Sequence, residues 1–382
     1  MIKRIDLFLP PFSHYSVLHH FTYKFYEALT RLGVRCRILK ASFDDPKPFL
    51  QQIFSDPPDC TLSFNGLLPD EHGHFFCDMI QIPHVACLTE PPSQFIELAK
   101  SKNTIITCMD SSGVDFFREM GFSKVFFMPH GVEKNLYQDP RSPREINVLM
   151  LSTCIDPDAI WEDWQKHYPA ALCKVLEDAA EQTLSEQTIS PISAFITALN
   201  HRLKSEPDLD PNTIPYVEAI TSLDDYIRGK DRIKLLKSIK DFPVDIYGDG
   251  PWEKFTKGTK AKVHTSLPYE EALSLLGKSK VILSSNPATT HGTHTRVLAG
   301  TLLGAVPVTT ENPFMQQDYK NLESVIYYRY NTLDKVNEEI ARVINDDQKR
   351  ISMAENGMKI TLAHHTWDHR ASQLLKNLSS LL

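Results

Sequence analysis

VILSSNPATTHGTHTRVLAGTLLGAVPVTT, residues 281–310, decides how the chain folds. Its ends, VILS and VPVT, are short apolar runs rich in β-branched residues, as buried strands are. Between them lie a polar loop and a small-residue helical stretch, giving the order strand, loop, helix, strand that repeats in parallel α/β sheets. The loop carries more chemistry than a connector needs. Thr290, His291, Gly292, Thr293, His294 and Thr295 run directly into Arg296 in the first helical turn. Ligands of open parallel sheets lie beyond the carboxyl ends of the strands, where a helix start offers unpaired N–H groups and a partial positive charge. Gly292 lets the backbone approach an anion, the threonines donate hydroxyl hydrogen bonds, and the planar Arg296 fork matches phosphate oxygens. The segment reads as a diphosphate site.

The alternation continues outward. INVLMLSTC (146–154), PVDIYGDGPW (243–252) and SVIYYRY (324–330) read as strands, with RIKLLKSIKD (232–241) and YEEALSLLGKS (269–279) as helices. Before them, IKRIDLFL, VRCRILK, CTLSFNG, HVACLTE, NTIITCMD and KVFFMPHGVE alternate with helical stretches. Among these, SVLHHFTYKFYEALTRLG puts Leu18, Phe21, Phe25 and Leu29 on one face. QDPRSPREIN (138–147), with two prolines and no apolar period, reads as a linker. The expected organisation is a doubly wound domain over 1–140, a second over 141–360, and a terminal helix over 361–382 packing back on domain one. Between Asp156 and Arg232 there are 15 acidic and 7 basic residues, and two helical stretches. This reads as an acidic helical insertion at about 157–230, a solvated cap in its simplest role and a docking surface in the alternative.

Composition bounds the function. The 382 residues suffice for two cores, and 42% hydrophobic with 23% charged residues is usual for a globular protein. A net charge of -7 disfavours non-specific nucleic-acid binding. No apolar run approaches the roughly 20 residues of a membrane span. Seven scattered cysteines without a C-x-x-C pair read as free thiols, hence a cytoplasmic location. His291 and His294 have no third ligand nearby in sequence, and DLD at Asp208–Asp210 sits between prolines rather than at a strand end, so no metal is expected.

Further donor-side candidates are Gly248 and Gly250 in the YGDGPW turn, Leu267 in a loop suited to reading a base through main-chain groups, and Glu311 and Glu270 for a ribose. Lys254 and Lys257 are candidate helpers at the diphosphate.

Together the segments YGDGP, LPYEEA, SSNP and RVLAGTLLGAVPVT resemble the donor half of GT-B glycosyltransferases. Gly-Ala-x-Pro-Val-Thr followed by the terminal motif at His365, Thr366, Trp367, Arg370 and Ala371 is most similar to the CgeB-like, spore-maturation-protein-related group. CLTEPP and MDSSGVDFFREMGFSKVFFMPHGVE also resemble its N-terminal half. The chain departs from retaining relatives, which carry two glutamates eight residues apart here; His291 and Ala299 stand in those places. The basic residue that many relatives carry after the first strand of domain two is also absent from LSTCIDP.

The resemblance implies two Rossmann-like domains facing a cleft. It further implies metal-independent transfer of a sugar from a nucleoside diphosphate, with UDP the leading nucleotide, to an acceptor that is a protein, a glycan or a small molecule. An inverting reaction needs a base near the acceptor hydroxyl. His14, Glu90 and Asp110, each just after a domain-one strand, are the candidates, and His130 is expected to shape the wall or touch the sugar. A nucleotide-sugar epimerase of this fold and a non-catalytic nucleotide-binding scaffold are the alternative readings.

Overall fold

The computed structural model describes residues 2–40, 47–204 and 209–382, apart from the His14 side chain. The chain divides into two compact units, Met1–Asn135 with Ala363–Leu382, and Leu136–Leu362.

In the first unit, β1 (Arg4–Leu9), β2 (Arg35–Lys40), β3 (Cys60–Phe64), β4 (His84–Cys87), β5 (Thr104–Cys108) and β6 (Val125–Phe127) form one parallel sheet in the order β2-β1-β3-β4-β5-β6. β3, β4 and β5 are buried along their whole length, which is why they read as continuous apolar runs rather than alternating ones. The helices are α1 (Val17–Arg31), α2 (Lys47–Ser55), α3 (Phe76–Ile80) and α4 (Ser111–Glu119). α1 buries Phe21, Phe25 and Leu29, one face at helical spacing.

The second unit repeats the plan with β7 (Ile146–Leu151), β8 (Val244–Tyr247), β9 (Ala261–His264), β10 (Ser279–Ser284), β11 (Val306–Thr310) and β12 (Ile326–Tyr328). All are parallel, in the order β12-β11-β10-β7-β8-β9. The chain runs outward in both directions from β7, so the strand order reverses between β7 and β10. That is where an open sheet splays its exit loops and leaves room for a ligand. The quoted segment supplies β10, the loop and β11. One strand the sequence reading did not find is β9: four residues, AKVH, at the sheet edge, with too little apolar alternation to stand out.

The helices of this unit are α5 (Pro157–His167), α6 (Ala170–Ser185), α7 (Pro191–Arg202), α8 (Tyr216–Ser238), α9 (Trp252–Phe255), α10 (Tyr269–Lys278), α11 (Thr295–Leu302), α12 (Pro313–Asp318), α13 (Val336–Ile344) and α14 (Asp347–His364). α5, α6 and α7 are the expected helical insertion. It has no separate end, however, because α8 runs unbroken for 23 residues from the insertion into the stretch expected to start a new helix at Arg232. No proline interrupts residues 216–238, so nothing in the backbone stops the helix there. The last helix, α15 (Trp367–Leu381), lies in the first unit. Trp367 packs against Phe21, Phe25 and Phe64 at 5.3, 5.7 and 6.0 Å, and its N–H bonds the Val132 carbonyl at 2.9 Å.

Candidate functional site

The exits of β7 and β8 are joined backbone to backbone. Ser152 N–H donates to the Tyr247 carbonyl (3.1 Å), and Cys154 N–H to that of Asp249 (2.7 Å). This pairing explains the two glycines of the YGDGPW turn. A Cβ on Gly248 would stand 2.0 Å from the Ser152 carbonyl oxygen and one on Gly250 2.2 Å from that of Cys154, and Gly250 also has φ +90°. Both glycines therefore answer to loop packing.

Next to this pair, on the other side of the reversal, the β10 exit leads through the threonine–histidine loop into α11. Thr290 and Gly292 are buried. The Thr290 hydroxyl meets His291 Nδ1 at 3.1 Å, and the Gly292 carbonyl accepts from Asn312 Nδ2 at 3.2 Å. His291 is half-buried. His294 caps the helix, its Nδ1 accepting the Arg296 N–H at 3.1 Å, so in the neutral ring the proton sits on Nε2. Thr295 is buried in the first turn, and the Thr293 hydroxyl is buried with no hydrogen-bond partner among the described residues. Arg296 is half-buried, and no described side chain accepts a hydrogen bond from its guanidinium.

One turn of α8 completes the arrangement. Arg232 reaches the β7 exit and donates to the Thr153 carbonyl at 2.8 Å, and Asp231 takes the hydroxyls of Ser285, at the β10 exit, and Tyr328 on one carboxylate oxygen. Gly229 allows this approach, since a Cβ there would lie 2.7 Å from the Ile155 carbonyl oxygen. Arg228, one turn earlier, pairs with Asp224 and Asp225 at 3.3 Å each.

Arg228, Arg232 and Arg296 share one electrostatic neighbourhood. Burial pushes Arg232 down to about 9, and the charges of Arg228 and Arg296 push in the same direction. Arg296 is lowered to about 10, again by burial first, with Tyr269 opposing and Arg228 adding to the shift. Like charges gathered in partly buried surroundings repel until an anion joins them. A basic side chain thus reaches the β7 exit from α8. A signal existed in the sequence, the Arg-Gly-x-x-Arg spacing that puts two guanidiniums on one helical face.

The remaining donor-side candidates are more ordinary. Leu267 is half-buried in the loop from β9 to α10 and Glu270 is exposed at the start of α10. Glu311 is ion-paired with Arg329 and bonded to the Gln316 amide. Lys254 pairs with Asp156 (2.9 Å) and Asp158 (3.2 Å) at the start of α5, and Lys257 is exposed. Of the DLD string, Asp208 lies outside the described residues and Asp210 caps the short turn Pro211–Thr213. Among the described residues no three His, Cys, Asp or Glu side chains converge as a metal set.

In the first unit, Glu90 follows β4 and is exposed, while Asp110 follows β5 and caps α4, accepting from the Ser112 N–H (2.9 Å) and hydroxyl (2.7 Å). His14 opens a short helical turn after β1, and its side chain lies outside the described part of the structure. His130 is buried. Its ring packs on Phe21 at 5.8 Å, its carbonyl accepts from Arg370 at 3.0 Å, and burial followed by the Arg370 charge lowers its pKa to about 4.

Residues 230–376 match the family described as glycosyl transferase-like. Over the whole chain the fold is similar to solved glycosyltransferase structures. Sucrose-phosphate synthase from Thermosynechococcus elongatus superposes with a TM-score of 0.56 at 10% identity, covering 99% of both chains. The Anabaena protein HepE in complex with UDP-glucose gives 0.54 at 10% identity, again with 99% of both chains. A glycosyltransferase from Rickettsia africae gives 0.55 at 10% identity, over 98% of this chain and 97% of the other. The chain has the GT-B fold, and its residues 230–376 carry the glycosyl transferase-like sequence pattern. No curated protein matches its sequence. Asp231, Arg232 and Arg296 fall inside the matched segment, and Arg228 lies just before it. No described helix is long and apolar enough to cross a membrane.

Proposed function

We propose that this protein is a glycosyltransferase that moves a sugar from a nucleoside diphosphate donor, UDP being the leading nucleotide, to a protein, glycan or small-molecule acceptor, and that it needs no metal to do so. The observation that carries this reading is the convergence of Arg228, Arg232, Arg296 and the α11 N-terminus at the strand-order reversal of the second unit. Cleaving the glycosidic bond leaves negative charge on the diphosphate. Fixed guanidiniums and oriented N–H groups stabilise that developing charge more than they stabilise the intact donor, which lowers the barrier. Three arginines and a helix start supply the positive charge that a divalent cation provides elsewhere. HepE, of the same fold, is known in complex with UDP-glucose, which supports a nucleotide-sugar donor here. The acceptor is assigned to the first unit, where His14, Glu90 and Asp110 follow strand ends; Asp110 already holds Ser112, which makes it the weakest of the three as a base. Seven cysteines with no disulfide support a reducing, cytoplasmic location.

The test is a thermal-shift screen against UDP, GDP, ADP and dTDP, followed by a coupled assay for nucleotide released from the matching sugar nucleotides with and without cell-derived acceptors. A ligand of the folded state raises the melting temperature by mass action. One preferred nucleotide and acceptor-dependent release are expected. A protein unaffected by all four nucleotides refutes the reading.

A further inference from the structure

Asp231 has no place in the scheme above, yet it sits within it. It is fully buried, adjacent in sequence to Arg232, and it bridges β10 and β12 through Ser285 (2.6 Å) and Tyr328. Both hydroxyls donate to the same carboxylate oxygen, Oδ2. The other, Oδ1, is buried with no hydrogen-bond partner among the described residues. A proton added to Oδ1 therefore breaks no existing bond, so the charge of this group can change while the α8 turn stays in place.

We propose that Asp231 is a buried counter-charge that sets, through Arg232, how tightly the arginine cluster holds a diphosphate, and that diphosphate binding is coupled to proton uptake by this carboxyl group. This rests on the donor reading given above. The groups facing Asp231 are Ser285 at the β10 exit, Tyr328 of β12, Tyr330 just beyond it, and Arg232 and Lys234 of its own helix. Beyond Arg232 lie Arg228, Arg296, Asp224 and Asp225. Burial raises the Asp231 pKa to about 6, against the bonds from Ser285 and Tyr328 and the charges of Arg232 and Lys234. An anion among the arginines disfavours the carboxylate, so the pKa rises further on binding and the reciprocal effect must hold: protonating Asp231 favours the anion. Above pH 6 the carboxylate competes with the diphosphate for the arginines, which eases release of the nucleotide product.

The experiment is titration calorimetry of UDP, and of inorganic pyrophosphate as a base-free probe, against wild type and Asp231→Asn from pH 5 to 8, with ligand-free melting of each. The phosphate's own titration is common to both proteins and cancels in the ratio of their affinities. At pH 7.5 Asp231→Asn is expected to bind UDP severalfold tighter than wild type, with the ratio falling towards one at pH 5. Ser285→Ala removes one donor from the carboxylate and so moves the wild-type transition to higher pH, which keeps the test open should the asparagine variant fold poorly. An asparagine variant that folds and binds equally or more weakly at every pH, or a Ser285→Ala transition that does not move, overturns the proposal. Wild type binding neither UDP nor pyrophosphate overturns both this proposal and the donor reading, whereas wild-type binding with an unmoved ratio overturns this proposal alone.

Discussion

The anion proposed for Arg296 and Arg232 would meet them in different structural situations, so their alanine variants should differ. Arg296 is half-buried and gives no guanidinium hydrogen bond to a described side chain, so Arg296→Ala removes charge and little packing. It should cost about 1.5 to 3 kcal/mol of nucleoside diphosphate affinity, read by calorimetry, with a nearly unchanged melting temperature. Arg232 is 7% exposed and holds the Thr153 carbonyl, so Arg232→Ala should lose affinity and melting temperature together. Equal melting temperatures for the two variants would show that Arg232 does not anchor the β7 exit. The loop from Thr290 to Arg296 was legible in the sequence because strand, polar loop and helix start follow one another within a single unit. Arg228 and Arg232 were not, since their charges were counted against an acidic segment, and only the fold carries them 50 residues or more from their sequence context to the β10 exit. Gly248 and Gly250 are explained by the close approach of the Ser152 and Cys154 carbonyls, which leaves no room for a side chain there.

At the scale of elements, α8 links the insertion to the site. Its middle turn carries Arg228, Gly229, Asp231 and Arg232, and Gly229 is the point of closest approach to the β7 exit. Replacing it with alanine offers a helix-propensity gain of about 1 kcal/mol but drives a methyl group to 2.7 Å from the Ile155 carbonyl oxygen, and overpacking of that kind costs typically 1–3 kcal/mol. Gly229→Ala should lower both the melting temperature and the nucleotide affinity. A variant that melts higher would mean that helix propensity dominates and the approach is not tight. The continuity of α8 escaped sequence reading because the change from acidic insertion to basic RIKLLKSIKD suggests a boundary that the backbone, lacking proline across residues 216–238, does not contain. β9 escaped for the opposite reason, being an edge strand of four residues with mixed polarity. The buried apolar strands, by contrast, stand out as continuous apolar runs and α1 by its helical period.

For the molecule as a whole, the two units should respond differently to acid. Among its described side chains the first holds three buried histidines: His84 between the Thr61 and Ser63 hydroxyls at 2.8 and 2.9 Å, His130, and His365 with its Nδ1 accepting from Arg370 at 2.9 Å. Burial lowers His84 and His365 to about 3 and His130 to about 4, with the Arg370 charge adding to the last two. A histidine kept neutral by the fold contributes stability that is complete above its unfolded value near 6.5 and is lost as pH falls towards its folded value, at about 1.4 kcal/mol per pH unit for each group. In the second unit Asp231 has the opposite sense: its raised pKa contributes stability at low pH that is lost as pH rises towards 6. Hydrogen exchange, corrected for its intrinsic pH dependence, should therefore show β3, β4 and β5 losing protection between pH 6.5 and 4.5 before β7 and β10 do. Parallel loss in both units would contradict this assignment of the buried histidines.

Ligand charge is decisive for this site, and the most direct test compares UDP with uridine by calorimetry on wild type and Arg296→Ala. If the arginine cluster and the α11 start receive a diphosphate, wild type binds UDP at least about 100-fold more tightly than uridine, the equivalent of two charge-assisted hydrogen bonds, and Arg296→Ala removes a large share of that preference while leaving uridine binding unchanged. Equal affinity of wild type for UDP and uridine, or a preference that survives in Arg296→Ala undiminished, would contradict it.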